Sequence, residues 1–110
     1  MQVIDMDQAA DAAVELLKAL ANPVRLKLLC FLVEQERSVG EIASRLGVRE
    51  TLVSQHLSLL RRDKLVAYRR DGQTLWYRLA DPNARQIIET LYGIFCPVAP
   101  KCPDAAGHAD

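Results

Sequence analysis

Residues 38–62 read Ser38-Val39-Gly40-Glu41-Ile42-Ala43-Ser44-Arg45-Leu46-Gly47-Val48-Arg49-Glu50-Thr51-Leu52-Val53-Ser54-Gln55-His56-Leu57-Ser58-Leu59-Leu60-Arg61-Arg62, and their spacing decides the fold. Ser38 followed by Glu41 reads as a capping box, in which the serine oxygen closes orphan backbone donors and the glutamate reaches back. It opens a short helix through Ile42, Ala43 and Leu46, which Gly47 ends. After a short turn a second helix follows at about 50–63, with Val53, Leu57 and Leu60 on its buried stripe. With Val39 as first position, Ala43 is fifth, Gly47 ninth and Val53 fifteenth. A helix-turn-helix needs a small residue at the fifth so that two helices cross closely. It needs a glycine at the ninth for a backbone conformation costly to other residues, and a β-branched core residue at the fifteenth. All three requirements are met.

Downstream, Leu65–Arg70 and Thr74–Leu79 are rich in Val, Tyr, Trp and Thr and are joined across Asp71-Gly72, a strong hairpin signal. Asp81-Pro82 opens a last helix with Ile87, Ile88, Leu91 and Phe95 facing inward, stopped by Pro97. Upstream, residues 7–21 place Ala10, Ala13, Val14, Leu17 and Leu20 at amphipathic helical spacing. Asn22-Pro23 restarts the chain as an N-cap and first helical position. The helix that follows, about 23–35, is apolar nearly all round and belongs in the middle of a core. The order predicts a mostly α winged helix-turn-helix with a β-hairpin wing, α-α-α-α-β-β-α. Residues 1–97 form that domain, and 98–110, rich in proline and small residues, form an irregular tail.

The chain has 110 residues and a mass of 12.3 kDa, the size of one domain. Fourteen Lys and Arg balance fourteen Asp and Glu, so binding of a polyanion by bulk charge is excluded. The charge is segregated, however: the net is −3 over residues 1–21, +1 over 22–48, +4 over 49–79 and −2 over 80–110. A contiguous basic third is the electrostatic footprint of a nucleic-acid binder. No apolar run approaches the roughly 20 residues that span a bilayer, and the first residues lack a secretory pattern. Three cysteines without framework spacing imply a cytosolic chain with reduced thiols. No Cys-x-x-Cys motif or motif-placed base supports a thiol oxidoreductase, so no enzyme and no cofactor is expected.

The second helix of the motif presents Thr51, Ser54, Gln55, Ser58 and Arg62, with Arg49 just before it and Ser38 at the start of its partner helix. Gln bonds bidentately to adenine, Arg to guanine and Ser to several base edges. Arg69 and Arg70 flank the hairpin turn with Gln73 beyond it, a set suited to phosphates. Adjacent strand residues face opposite ways, so one of the two arginines points off the DNA. Trp76 reads as a packing residue. A winged-helix module that binds only protein is the competing reading, and the basic segment argues against it.

The chain resembles the ArsR/SmtB family of bacterial repressors from about Leu16 to Cys96. The resemblance rests on Leu17-Lys18-Ala19-Leu20-Ala21-Asn22-Pro23-Val24-Arg25-Leu26, on Val53-Ser54-Gln55-His56-Leu57-Ser58-Leu59-Leu60-Arg61, and on Leu65-Val66 with the Arg-Arg-Asp-Gly-Gln wing. It implies a homodimer built on the first and last helices, held on an inverted-repeat operator in double-stranded DNA and released by an inducer. Two metal sites known in the family are missing. The stretch Arg37-Ser38-Val39-Gly40-Glu41 has no thiol, and the last helix has Asp81 and Glu89 but no histidine.

Cys30, in Leu29-Cys30-Phe31, and Cys96, in Phe95-Cys96-Pro97, are similar to the sulfide- and persulfide-responsive BigR/SqrR branch of that family. The likeness implies that reactive sulfur species join the two thiols through a disulfide or polysulfide and release the DNA. A lone cysteine on an apolar helix usually only packs; two at these positions point to sensing. In a chain this small the last helix must pack near the second, which is expected to bring the pair within bridging reach. Cys102 departs from the pattern. With Cys96 it makes Cys-x5-Cys, followed by His108, and offers an alternative thiolate site for arsenite or cadmium.

Overall fold

The computed structural model of the chain describes residues 3–96. The expected 98–110 tail, with Cys102 and His108, and the Pro97 stop lie outside these residues. The elements run α1 (Val3–Leu20), α2 (Pro23–Glu34), β1 (Arg37–Ser38), α3 (Val39–Leu46), α4 (Glu50–Arg62), β2 (Val66–Asp71), β3 (Thr74–Leu79) and α5 (Pro82–Phe95). This is the winged helix-turn-helix that the sequence implies, with one strand more.

The added strand, β1, pairs antiparallel with β3, Arg37 opposite Tyr77 and Ser38 opposite Trp76, giving a sheet ordered β1-β3-β2. Two polar residues carry no apolar alternation to betray a strand. Arg37 is nevertheless only 3% exposed. Its guanidinium donates to the Phe31 carbonyl (3.1 Å) and to the carboxylates of Glu34 (2.6 Å) and Glu41 (2.7 Å), so the burial is fully compensated.

That arrangement corrects half of the capping box. Ser38 Oγ accepts from the Glu41 N–H at 3.1 Å, as expected. The Glu41 carboxylate turns to Arg37 instead of reaching back, because a charge-assisted bond to a buried guanidinium is stronger than one to a neutral amide. At the other end of α3, Gly47 takes φ 71 and its N–H closes on the Ala43 and Ser44 carbonyls. Asn22 caps α2 by accepting from the Val24 and Arg25 amides. Arg25 in turn donates to the Ala19 and Lys18 carbonyls and closes the end of α1.

Leu28, Leu29, Phe31 and Leu32 of α2 are buried together with Ile42 and Ala43 of α3, Val53, Leu57 and Leu60 of α4, and Ala84 and Ile88 of α5. Each fully buried leucine contributes about 1.5–3 kcal/mol, so α2 is the axis on which the other elements are fixed. The hairpin turn sits one residue later than the Asp71-Gly72 signal suggested. Asp71 pairs with Thr74, leaving Gly72 and Gln73 as the two-residue loop. Gly72 takes φ 64 and Gln73 does not go positive, which is the type II′ pattern with glycine first.

One apolar expectation needs correction, and one is met. Phe95 does not face inward with Ile88: it is 76% exposed, because α5 runs past the edge of the core. On α1, Leu20 is buried while Val14 and Leu17 stand 46% and 55% exposed, an uncovered stripe of the kind a homodimer built on this helix requires.

Candidate nucleic-acid interface and thiol cavity

The α4 helix is held by Val53, Leu57 and Leu60 on its inner side, all essentially inaccessible. The 3.6-residue period therefore turns Thr51, Gln55, Ser58 and Arg62 onto one outward line, with Ser54 beside it. All five are exposed, as is Arg49, which is the N-cap residue of α4 without a side-chain cap bond. These six side chains form one continuous polar surface. Ser38 lies apart from it, half-buried at the start of α3, its oxygen engaged by the Glu41 amide.

Strand parity separates the two wing arginines. Register places Tyr68 opposite Tyr77 and Arg70 opposite Leu75, whereas Arg69 stands opposite Trp76. Tyr68 faces α4, for the Arg61 guanidinium lies 4.9 Å from its ring centroid. Arg70, two residues from Tyr68, shares that face and is exposed. Arg69 lies on the opposite face beside the half-buried Trp76, 6.0 Å from its ring centroid. There Arg69 Nε donates to the Glu36 carboxylate at 3.0 Å, and its guanidinium is 4.0 Å from Asp71. The hydrogen bond to Glu36, ahead of the attraction of both carboxylates, raises its pKa. Gln73 is exposed at the hairpin tip.

Three features of this surface escaped the sequence reading. Leu59, one turn beyond Gln55, is an exposed apolar group on the outward polar side of α4, and a helical wheel locates it. Lys64 turns the chain from α4 into β2 at φ 66, a left-handed conformation unusual for a lysine, and no sequence signal marks it. His56, on the flank of α4, has a buried Nδ1 without a hydrogen-bond partner. Burial, and secondarily the Arg25 guanidinium, holds its imidazole below the usual histidine range.

The two candidate sensing thiols share one cavity. It measures about 500 Å³ and lies between α2, the last turn of α3 and the end of α5. Cys30 enters it from α2 and Cys96 from the C-cap of α5, with Phe31, Leu46, Ile88 and Leu91 among the walls. Both thiols are partly accessible and no disulfide joins them. Among the described residues no group of three or more His, Cys, Asp or Glu side chains is disposed to hold a metal ion. Cys102, the other half of the alternative thiolate site, lies outside those residues. No helix of the described residues is long and apolar enough to cross a membrane.

Residues 22–68 match the family described as "Bacterial regulatory protein, arsR family". Over 96 residues the chain is 44% identical to the transcriptional activator HlyU of Vibrio cholerae, covering 87% of this chain and 89% of HlyU. Over 92 residues it is 44% identical to the biofilm growth-associated repressor of Xylella fastidiosa, covering 84% and 81%. The structure of reduced HlyU from Vibrio cholerae superposes with a TM-score of 0.81 over 84% of this chain and 97% of that one, at 44% identity. The repressor BigR of Xylella fastidiosa superposes with a TM-score of 0.79 at 43% identity over 87% and 98%. A homodimeric winged helix-turn-helix domain from Mycobacterium bovis, 31% identical, gives 0.73 over 84% and 86%.

Proposed function

The chain belongs to the arsR family of bacterial regulatory proteins and is a transcriptional regulator, and from that premise we propose that it is a cytoplasmic repressor switched by its own thiols. As a homodimer it holds an inverted-repeat operator, reading bases with Thr51, Ser54, Gln55 and Ser58 and gripping phosphates with Arg49, Arg62, Arg70 and Gln73. Arg69 and Ser38 stand at the margin of this surface.

The observation that carries the switch is the shared cavity: Cys30 and Cys96 sit on different elements yet face the same space. Bridging them ties the end of α5 to α2. With a polysulfide as inducer the chemistry closes without any other oxidant. One thiolate attacks a sulfane sulfur and expels a shorter sulfide anion, leaving a cysteine hydropolysulfide. The second thiolate attacks the sulfur next to its terminal –SH and expels HS⁻, so the two cysteines are joined through the retained sulfur. A plain disulfide needs Cα atoms roughly 4.4–6.8 Å apart, and added sulfur relaxes that limit.

Homodimerisation is supported by the uncovered apolar residues on α1 and α5, Val14, Leu17 and Ile94, the last 60% exposed. The Mycobacterium bovis domain with this fold is itself homodimeric. The test is an operator-binding titration of the reduced and polysulfide-treated protein, with intact mass and peptide mapping of the treated sample. A Cys30–Cys96 link that accompanies at least a hundredfold loss of affinity, about 2.7 kcal/mol, supports the reading. Loss of DNA binding with no such link, or a link without loss, refutes it.

A further inference from the structure

We infer that the cavity between α2, α3 and α5 binds a medium-chain carboxylate: an apolar tail among Leu26, Phe31, Leu91 and Phe95, and a carboxylate held at the mouth by Lys27 and Arg45. The space of about 500 Å³ is in the range of small-molecule pockets, and its walls are mostly apolar with few polar groups, as such pockets require. A link between two sulfurs fills little of it.

Charge selects the ligand class. The ionisable side chains among the lining residues, thiols and the Tyr92 phenol aside, are Lys27 and Arg45, and no Asp or Glu lines the cavity with them. Lys27 is exposed and, among the described residues, forms no ion pair. The Arg45 guanidinium lies 5.8 Å from the Phe31 ring centroid, against the apolar wall. Its one carboxylate neighbour among the described residues, Glu41 at 3.5 Å, is already bound by Arg37 at 2.7 Å, so Arg45 keeps charge to offer. A cation beside an apolar wall matches an anionic amphiphile and disfavours a cationic one.

Phe95 gives the tail a reason to enter. It lies on the same side of α5 as Ile88 and Leu91 but beyond the packed core, a large exposed aromatic group facing the cavity. Ile94, the exposed α5 residue assigned to the dimer, is about 100° round the helix from it, so a dimer formed on Ile94 leaves the Phe95 side open.

The inference is independent of the thiol switch, and the experiment keeps them apart. Isothermal titration of the reduced full chain with decanoate, decanol and decylammonium is expected to show one decanoate per chain, with a Kd on the order of 10–100 µM. Decanol should bind about tenfold more weakly and decylammonium not measurably. Lys27→Glu, at an exposed position, should weaken decanoate about tenfold and leave decanol unchanged; Leu91→Trp, which fills the cavity, should abolish both. Cys96→Ser should retain decanoate binding whatever it does to the polysulfide response. No saturable decanoate binding to the folded wild type, equal binding of decylammonium, or a Lys27→Glu variant that binds decanoate as well as wild type would overturn the inference.

Discussion

Removing Arg70 should weaken DNA binding in a salt-dependent way that removing Arg69 does not reproduce. Both arginines are exposed on β2, but the register puts Arg70 on the face that Tyr68 turns toward α4 and Arg69 on the other. The Arg69 guanidinium, 3.0 Å from Glu36 and 4.0 Å from Asp71, has its charge largely answered within the protein. Each phosphate contact contributes a slope of about −0.9 to log K against log salt. In a homodimer Arg70→Ala deletes two such contacts, so the slope should fall by about 1.8 in magnitude. Between about 50 and 200 mM salt, a fourfold change, the deficit of the variant should then shrink about twelvefold. Arg69→Ala should change the slope by less than half as much. Glu36→Gln, which releases Arg69, should increase it. The assay is fluorescence anisotropy on operator and scrambled duplexes across that salt range. If Arg70 grips the DNA backbone as proposed, both duplexes should respond alike. An Arg69→Ala slope change equal to or larger than that of Arg70→Ala would show that the parity argument fails.

Four further outcomes are expected. Gln55→Ala should cost about 1–3 kcal/mol on the operator and little on random DNA, measured by the same anisotropy. Arg37→Ala strands the Glu34 and Glu41 carboxylates and the Phe31 carbonyl; urea unfolding should show a loss of about 2–4 kcal/mol, below the figure for a fully buried pair because both carboxylates are partly wet. Because burial holds the His56 pKa below the ordinary histidine value of 6.5, the unfolded chain takes up its proton first. The stability that neutral His56 contributes is therefore present above pH 6.5 and lost as pH falls through the lowered value. His56→Gln should flatten the fall in urea midpoint over that window. Leu17→Glu with Ile94→Glu should convert the homodimer to monomers in sedimentation and abolish tight operator binding while leaving the helical circular dichroism intact.

What was legible in the sequence follows a physical rule: features set by local backbone demands could be read, and those set by pairing across the fold could not. Gly47 adopts the positive φ that its place in the motif requires, and Val53 is buried where its stripe put it, because each depends on one helix and its neighbour. The hairpin turn lies one residue beyond the Asp71-Gly72 signal because Asp71-Gly72 and Gly72-Gln73 both suit a two-residue loop. The choice between them is made by the facing of Tyr68 and Tyr77, whose ring centroids stand 5.3 Å apart. Register in turn fixes which wing arginine faces α4, so that question was undecidable from sequence. Likewise Arg37 has the composition of a surface residue. Only the convergence of Phe31, Glu34 and Glu41 makes its burial stable, and with it the strand β1. Phe95 obeys the periodicity of α5, but periodicity does not tell where the core ends.

The proposed DNA-facing surface and the thiol cavity adjoin at α3, which gives the proposed switch a physical route between them. The wall of the cavity includes Arg45 and Leu46, the last two residues of α3. Gly47 follows at once in the left-handed conformation, and the chain enters α4 three residues later. Leu46 packs against the core as well as lining the cavity, so it cannot yield freely when the cavity narrows. Under the proposed switch, a bridge drawing Cys96 toward Cys30 would pull the end of α5 onto α2 and press on that last turn, which Gly47 joins to the start of α4. Arg49 and Thr51, the first residues of the proposed reading face, would be the first to shift. In a homodimer such a shift would occur twice, at both ends of a fixed half-site spacing, where a small angular error in each protomer adds across the two-fold axis. A carboxylate seated in the cavity would hold the same wall outward, so bridging and ligand binding should oppose one another at Leu46.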